Sequence, residues 1–185
     1  MTYRCVVAWL AVVLTGGCLV VGLLHLARML LLRTDVAGEA SHAVMGLGMA
    51  AMFSPLGNPV PEPVWTAVFL LCAAWFAVLA ARARQVHGPA GHHVVCSGAM
   101  LFMLVGGHAH GTGAALGAGS VAAIVLAGYF AWHVLRCVDH LRAAKDLVER
   151  GSTAVRTSVL RAPRTAATAH LATALMMTVM LIGMI

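Results

Sequence analysis

The sequence has few charged residues. Asp, Glu, Lys and Arg together make up 10% of its 185 residues, and only six residues are acidic, whereas soluble domains carry about 25% charged residues. Hydrophobic residues account for 61% of the chain, and the mean hydropathy is +0.91. A water-soluble globule of this length has too little interior to cover so much apolar surface. The composition therefore excludes a soluble enzyme and a disordered chain, and it predicts an integral membrane protein.

Paired cysteines and catalytic motifs are also lacking. The five cysteines stand singly, with no Cys-X-X-Cys pair, so neither a disulfide-knotted domain nor a zinc motif is indicated. The sequence has no glycine-rich phosphate loop and no recognisable Ser/His/Asp set. These absences argue against an enzyme.

Six apolar runs are long enough to cross a bilayer, since its core needs about 20 mostly apolar residues per helix. The runs are Val6–Leu32, Ala37–Leu56, Val64–Ala81, His92–His110, Ala114–Val138 and Ala166–Ile185. Continuous runs without two-residue alternation indicate helices rather than barrel strands. We therefore predict a single all-α domain, residues 1–185, built as a polytopic bundle of six transmembrane helices. The charges of the polar segment 139–165 begin at helical spacings, so the fifth helix is expected to extend into that segment.

The basic residues predict the orientation of the helices. The connections after the first, third and fifth runs, together with the ends of those runs that lead into them, hold 11 of the 12 basic residues, and the connections after the second and fourth runs hold none. Because cytoplasmic loops are enriched in Lys and Arg, we expect an inner (plasma) membrane protein with both termini outside and segment 139–165 in the cytoplasm. Topology thus explains the net charge of +6 without a nucleic-acid partner.

A cleaved signal peptide is an alternative for the first run, because Arg4 precedes an apolar stretch that reaches small residues before Cys18. The apolar stretch continues past Cys18 to Leu32, which is too long for a typical signal segment. Cleavage would also place Arg28 and Arg33 outside. We therefore expect the first helix to be retained.

The even-numbered helices share a histidine/methionine pattern. Superposing His42 on His93 aligns three further positions without a gap, and the sixth helix repeats the pattern more weakly. Offsets of 0, 3, 7 and 10 residues place four side chains on one stripe of a helix. The stripes are His42, Met45, Met49 and Met52; His93, Cys96, Met100 and Met103; and His170, Thr173, Met177 and Met180, with Met184 one turn further on. A plain helix precedes each striped helix, which indicates three repeated helix pairs, although the plain helices show no convincing alignment.

The chemistry of the stripes favours copper. Thioether, thiol and imidazole are the ligands that soft Cu(I) prefers, and no stripe contains an acidic residue. Since one helix offers only one or two ligands at a given depth, the stripes must face one another to form sites. The expected levels are His42/His93/His170 at the cytoplasmic end, Met49/Met100/Met177 in the middle and Met52/Met103/Met180 beyond them, with His108 and His110 at the outer mouth. Weak ligands at successive depths would suit the passage of an ion as well as its binding.

Two alternatives stand beside the metal hypothesis. Haem would be held by histidines of facing helices, with His42 and His93 as a bis-histidine pair and His25, His133 and His170 as further ligands. Haem, however, has no need of the methionines, and the second and fourth helices lack a second histidine level. Alternatively, the stripes are packing surfaces of a structural or assembly subunit, because methionine commonly fills apolar helix interfaces.

Two segments, SHAVMGLGMAAMF and HHVVCSGAML, resemble an uncharacterised family of actinobacterial multi-pass membrane proteins, the domain of unknown function 5134. The resemblance implies a polytopic membrane protein and no established activity. Cys96 and Thr173 stand where the second helix has Met45, so the three ligand sets are not equivalent. Residues and resemblance together predict a protein of the lipid bilayer that binds or moves a soft metal ion, copper preferred.

Overall fold

The computed structural model describes residues 2–33, 35–84, 88–106, 118–149 and 163–183. Within these ranges the chain forms helices and no strand, which confirms the predicted all-α bundle. The helices are α1 (Thr2–Leu32), α2 (Val36–Phe53), α3 (Glu62–Ala83), α4 (Pro89–Gly106), α5 (Ala118–Glu149) and α6 (Pro163–Ile182). As expected from the spacing of its charges, α5 continues beyond the apolar run that ends at Val138.

Five of these helices are long and apolar enough to cross a membrane, namely α1, α3, α4, α5 and α6. α2 falls short of the sixth predicted span because it carries Glu39, Ser41 and His42. These polar residues are buried, as are 11 of the 18 residues of α2, against 17% in the apolar windows of α1 and α3. α2 therefore lies at the centre of the bundle, where its polar side chains face protein rather than lipid.

The helices pack as three sequential pairs, α1 with α2, α3 with α4, and α5 with α6. Contacts between α1 and α6 and between α2 and α4 bring the pairs together. The connections after α1 and α3 are short, so α1/α2 and α3/α4 are antiparallel hairpins. Each pair joins a helix without the histidine/methionine pattern to one that carries it, as the repeat predicts.

Two glycines bring α1 and α2 into close contact. A Cβ atom on Gly46 would lie 2.7 Å from the Cα atom of Gly22, and one on Gly22 would lie 3.0 Å from the backbone nitrogen of Leu47. Only residues without a side chain allow backbones to approach so closely. The crossing lies about one helical turn from His25 on α1 and from His42 on α2, so it determines how closely these two rings meet.

Candidate metal centre

Three histidines from three helices meet inside the bundle: His25 of α1, His42 of α2 and His170 of α6. One ring nitrogen from each lies within 4.8 Å of the other two. The ring centroids are 4.8 Å apart for His25 and His42, 4.5 Å for His42 and His170, and 5.4 Å for His25 and His170. Metal–nitrogen bonds of about 2.0–2.1 Å place two imidazole nitrogens up to about 4 Å apart. A small rotation of these side chains would therefore let all three bind one ion, and we call them the three-histidine site.

The hairpin geometry explains why these histidines meet. His42 and His170 are the seventh and eighth residues of α2 and α6, whereas His25 lies two turns before the end of α1. Because α1 and α2 run antiparallel, the end of α1 lies beside the beginning of α2. Residues far apart in sequence thus converge at one end of the bundle.

A buried ion pair supports His25. The Nδ1 atom of His25 lies 2.7 Å from Oε2 of Glu39, and Nε of Arg28 donates to Oε1 of the same carboxylate at 2.9 Å. Both Arg28 and Glu39 are less than 9% exposed. An ionised carboxylate only accepts hydrogen bonds, so the proton of a neutral His25 is on Nδ1 and the lone pair is on Nε2. Arg28 lies inside α1, which continues to Leu32 as the sequence predicts.

Two nitrogens of the three-histidine site have no hydrogen-bond partner among the described residues. These are Nε2 of His25 and Nδ1 of His42, and both are buried. A buried polar atom without a partner costs about 1–3 kcal/mol and is uncommon in folded proteins. Nδ1 of the adjacent His93 is buried without a partner in the described residues as well. The unpartnered nitrogens of this cluster together favour a place for a ligand that binds nitrogen lone pairs.

A second group of side chains lies beside this site, formed by His92 and Cys96 of α4 with Tyr129 and His133 of α5. Nδ1 of His92 is 2.9 Å from the Tyr129 hydroxyl, and Nε2 is 3.4 Å from Sγ of Cys96. The rings of His92 and His133 stack in nearly parallel planes, with centroids 4.0 Å apart. Both ring nitrogens of His92 thus have protein partners. We call this set the second histidine group.

His93 connects the two sets of rings. Its ring lies 4.8 Å from that of His42 and 5.9 Å from that of His92. On its other side it stacks on Phe76 of α3 at 4.3 Å. The predicted level of His42, His93 and His170 is therefore brought together, with His42 at its centre.

The three stripes face the interior. Nine of the 11 predicted ligand residues are buried, and the other two, Met52 and His170, are half-buried. The stripe methionines belong to or pack against one core cluster: Met45, Met49, Met52, Met100, Met103, Met177 and Met180. Thr173 is not available to a metal, because its hydroxyl donates to the carbonyl oxygen of Ala169. The predicted His108, His110 and Met184 lie outside the described residues.

The sequence reasoning did not find the repeat in the odd-numbered helices. His25 and Phe76 each precede the last residue of their helix by seven positions. Each also stacks on the stripe histidine of the next helix, with centroids 4.8 and 4.3 Å apart. The tripeptide Ala-Trp-Phe at 74–76 recurs as Ala-Trp-His at 131–133, which was the available signal. The reasoning also missed Glu39, the carboxylate nearest the site.

Comparison with known proteins places the chain in a family without assigning it an activity. The family model described as "Domain of unknown function (DUF5134)" matches residues 34–184, and the chain belongs to this family. The match begins just before α2 and includes all three stripes. No functionally curated protein and no solved structure matches the chain.

Proposed function

We propose that this member of the DUF5134 family binds a monovalent copper ion at the three-histidine site and passes it along the methionine stripes. The observation that carries the proposal is the convergence of three ligand nitrogens within 4.8 Å. Two buried nitrogens of this site have no hydrogen-bond partner among the described residues. Bonds to a metal would satisfy these atoms.

The charges around the site support a monovalent ion. Arg28 balances the charge of Glu39 through a 2.9 Å ion pair, and neutral imidazoles contribute no charge. The three imidazoles and the Arg28–Glu39 ion pair together therefore carry no net charge. The cost of transferring an ion from water into a protein interior rises steeply with its charge and is already about 20 kcal/mol for a monovalent ion in the idealised limit. Cu(I) thus fits better than a divalent ion.

The methionines support copper over other metals that imidazole binds. Imidazole suits Zn, Cu, Fe and Ni, whereas thioethers select Cu(I). Met49, Met100 and Met177 are at most 1% exposed, and they lie about two turns beyond the stripe histidines of their helices. A Cβ atom on Gly48 would lie 3.3 Å from the methyl carbon of Met100, so α2 and α4 are in contact at this depth. An ion leaving the histidines would meet soft ligands next.

No contact among the described residues favours the haem alternative. The imidazoles of the three-histidine site contact one another at centroid distances of 4.5–5.4 Å instead of facing each other across a slot for a porphyrin. The packing alternative explains the buried methionines. It leaves the unpartnered nitrogens of His25 and His42 without a reason.

The test is a titration of the native protein in nanodiscs with Cu(I), in competition with a chromophoric chelator, beside a parallel series with Zn(II). We expect tighter binding of Cu(I) than of Zn(II). In proteoliposomes, Met49→Leu/Met100→Leu should lower Cu(I) transfer by about tenfold because leucine offers no ligand. Met176→Leu, next to the stripe on α6, is the control and should leave the transfer rate unchanged. Absence of Cu(I) binding, or a Soret band in the native protein, would overturn the proposal.

A further inference from the structure

We infer that Glu39 is a positioning residue that fixes the tautomer of His25 and thereby turns the Nε2 lone pair toward the three-histidine site. The consequence for copper affinity rests on the proposed function. The tautomer of His25 is a property of the protein without metal, so this part of the inference does not rest on the proposed function. Nothing in the sequence pattern marks Glu39 for this role, since the repeated histidine/methionine pattern begins at His42, three residues after it.

The geometry interlocks two pairs of residues. His25 and Arg28 stand three positions apart on α1, and Glu39 and His42 stand three positions apart on α2, so each pair lies on one helix face. Glu39 uses its two oxygens separately, Oε2 for His25 and Oε1 for Arg28. The helix that supplies the ligand His42 thus also supplies the group that orients the ligand His25.

Orientation by a carboxylate is a known way to prepare a metal ligand. Metal-binding histidines commonly donate their second ring N–H to a carboxylate, which fixes the tautomer and makes the ligand nitrogen more basic. Here the donor nitrogen is Nδ1, and the opposite nitrogen, Nε2, is buried without a partner in the described part of the chain. His25 therefore has the arrangement of an oriented ligand before any metal is bound.

Arg28 completes the arrangement by occupying the other carboxylate oxygen. Its contact with Oε1 leaves Oε2 for His25 and balances the buried charge of Glu39. Without Arg28, the buried carboxylate would attract an additional proton or cation. We therefore assign Arg28 to holding Glu39 and not to the ion.

Glu39→Gln reverses the tautomer with little change in shape. The amide oxygen of glutamine can accept from Arg28, which leaves the amide N–H₂ facing Nδ1 of His25. Since an N–H₂ group donates, Nδ1 must then accept, and the ring proton moves to Nε2. His25 would direct an N–H at the site in place of a lone pair. Loss of such a second-shell partner lowers metal affinity by about 10–100-fold.

The first measurement uses apo protein with ¹⁵N-labelled histidine in nanodiscs. The native spectrum should show His25 protonated on Nδ1, with the signal assigned by its loss in His25→Phe. Glu39→Gln should move the proton to Nε2. Asp139→Asn is the matched control, because Asp139 is exposed beside Arg142, and its spectrum should equal the native one. A native His25 protonated on Nε2 overturns the inference, whether or not Glu39→Gln folds.

The second measurement is Cu(I) affinity in the same three proteins. We expect Glu39→Gln to bind 10–100-fold more weakly than the native protein, and Asp139→Asn to bind equally well. If the native protein binds no copper but the tautomer shift is observed, the proposed function fails and the positioning role of Glu39 stands. If Glu39→Gln keeps both the native tautomer and the native affinity, the positioning role fails and the proposed function is unaffected.

Discussion

The three-histidine site and the second histidine group both contain clustered histidines, but they differ in whether the ring nitrogens have hydrogen-bond partners. In both, an oxygen holds Nδ1 of one histidine, Glu39 for His25 and Tyr129 for His92, at 2.7 and 2.9 Å. The remaining nitrogen of His92 lies against Cys96, whereas that of His25 has no partner among the residues described. The three-histidine site therefore leaves a ring nitrogen of His25 free to bind a ligand. In the second histidine group, both ring nitrogens of His92 already have partners within the protein.

Ring orientation separates the two regions only at His170, because His25 and His42 stack at 26°, much as His92 and His133 do. The rings of His92 and His133 lie within 14° of parallel, so their lone pairs, which lie in the ring planes, do not converge. The rings of His42 and His170 meet at 70°, so the plane of one ring points toward the other. Proximity of histidines is therefore a weak sign of a metal site. Buried nitrogens without a partner among the described residues are the stronger sign.

His42→Leu should have the largest effect, and it acts in opposite directions on binding and stability. Removing a ligand should weaken Cu(I) binding by more than about 100-fold, because loss of a second-shell partner alone costs 10–100-fold. The apo protein should be as stable as the native one or more stable by about 1 kcal/mol, since an unpartnered buried nitrogen is removed. Chelator competition and thermal unfolding in nanodiscs measure the two quantities. Native affinity in this variant would show that the three-histidine site is a packing cluster.

Gly46→Ala tests whether the glycine crossing sets the distance between His25 and His42. The new Cβ atom would lie 2.7 Å from Gly22 Cα, so α1 must move away from α2. We expect a loss of about 1–3 kcal/mol in stability, as for other overpacked contacts, and about tenfold weaker Cu(I) binding, because a ligand set tolerates displacements of only about 0.5 Å.

The matched control for this variant is Gly98→Ala on α4, where a Cβ atom meets nothing within 4 Å. It should leave Cu(I) binding unchanged and stabilise the helix by about 0.5–1 kcal/mol. Equal behaviour of the two alanine variants would mean that the α1–α2 distance does not control the site.

The sequence predicted the fold better than the site, for physical reasons. Apolar runs and the placement of charges specify helices directly, so all six helices were predictable from the sequence. The expected helix ends differ most from those of the structure at the end of α5. The stripes were predictable because periodicity places residues of one helix on one face. Which histidines meet depends on contacts between helices, and single-helix periodicity carries no such information. Glu39 and Arg28 were missed because a buried ion pair resembles ordinary interfacial polar residues when each helix is read alone.

His92→Leu should have the smallest effect on metal binding, and it reverses the pattern expected of His42→Leu. Cu(I) affinity should stay within about threefold of the native value, because the two ring nitrogens of His92 already have protein partners. Stability should fall by about 1–2 kcal/mol, since the substitution leaves the Tyr129 hydroxyl and the Cys96 thiol without their partner. The same titration and thermal unfolding apply. If His92→Leu instead weakens binding as strongly as His42→Leu does, the ion is held by both groups, and the distinction between an open and a satisfied set of histidines is wrong.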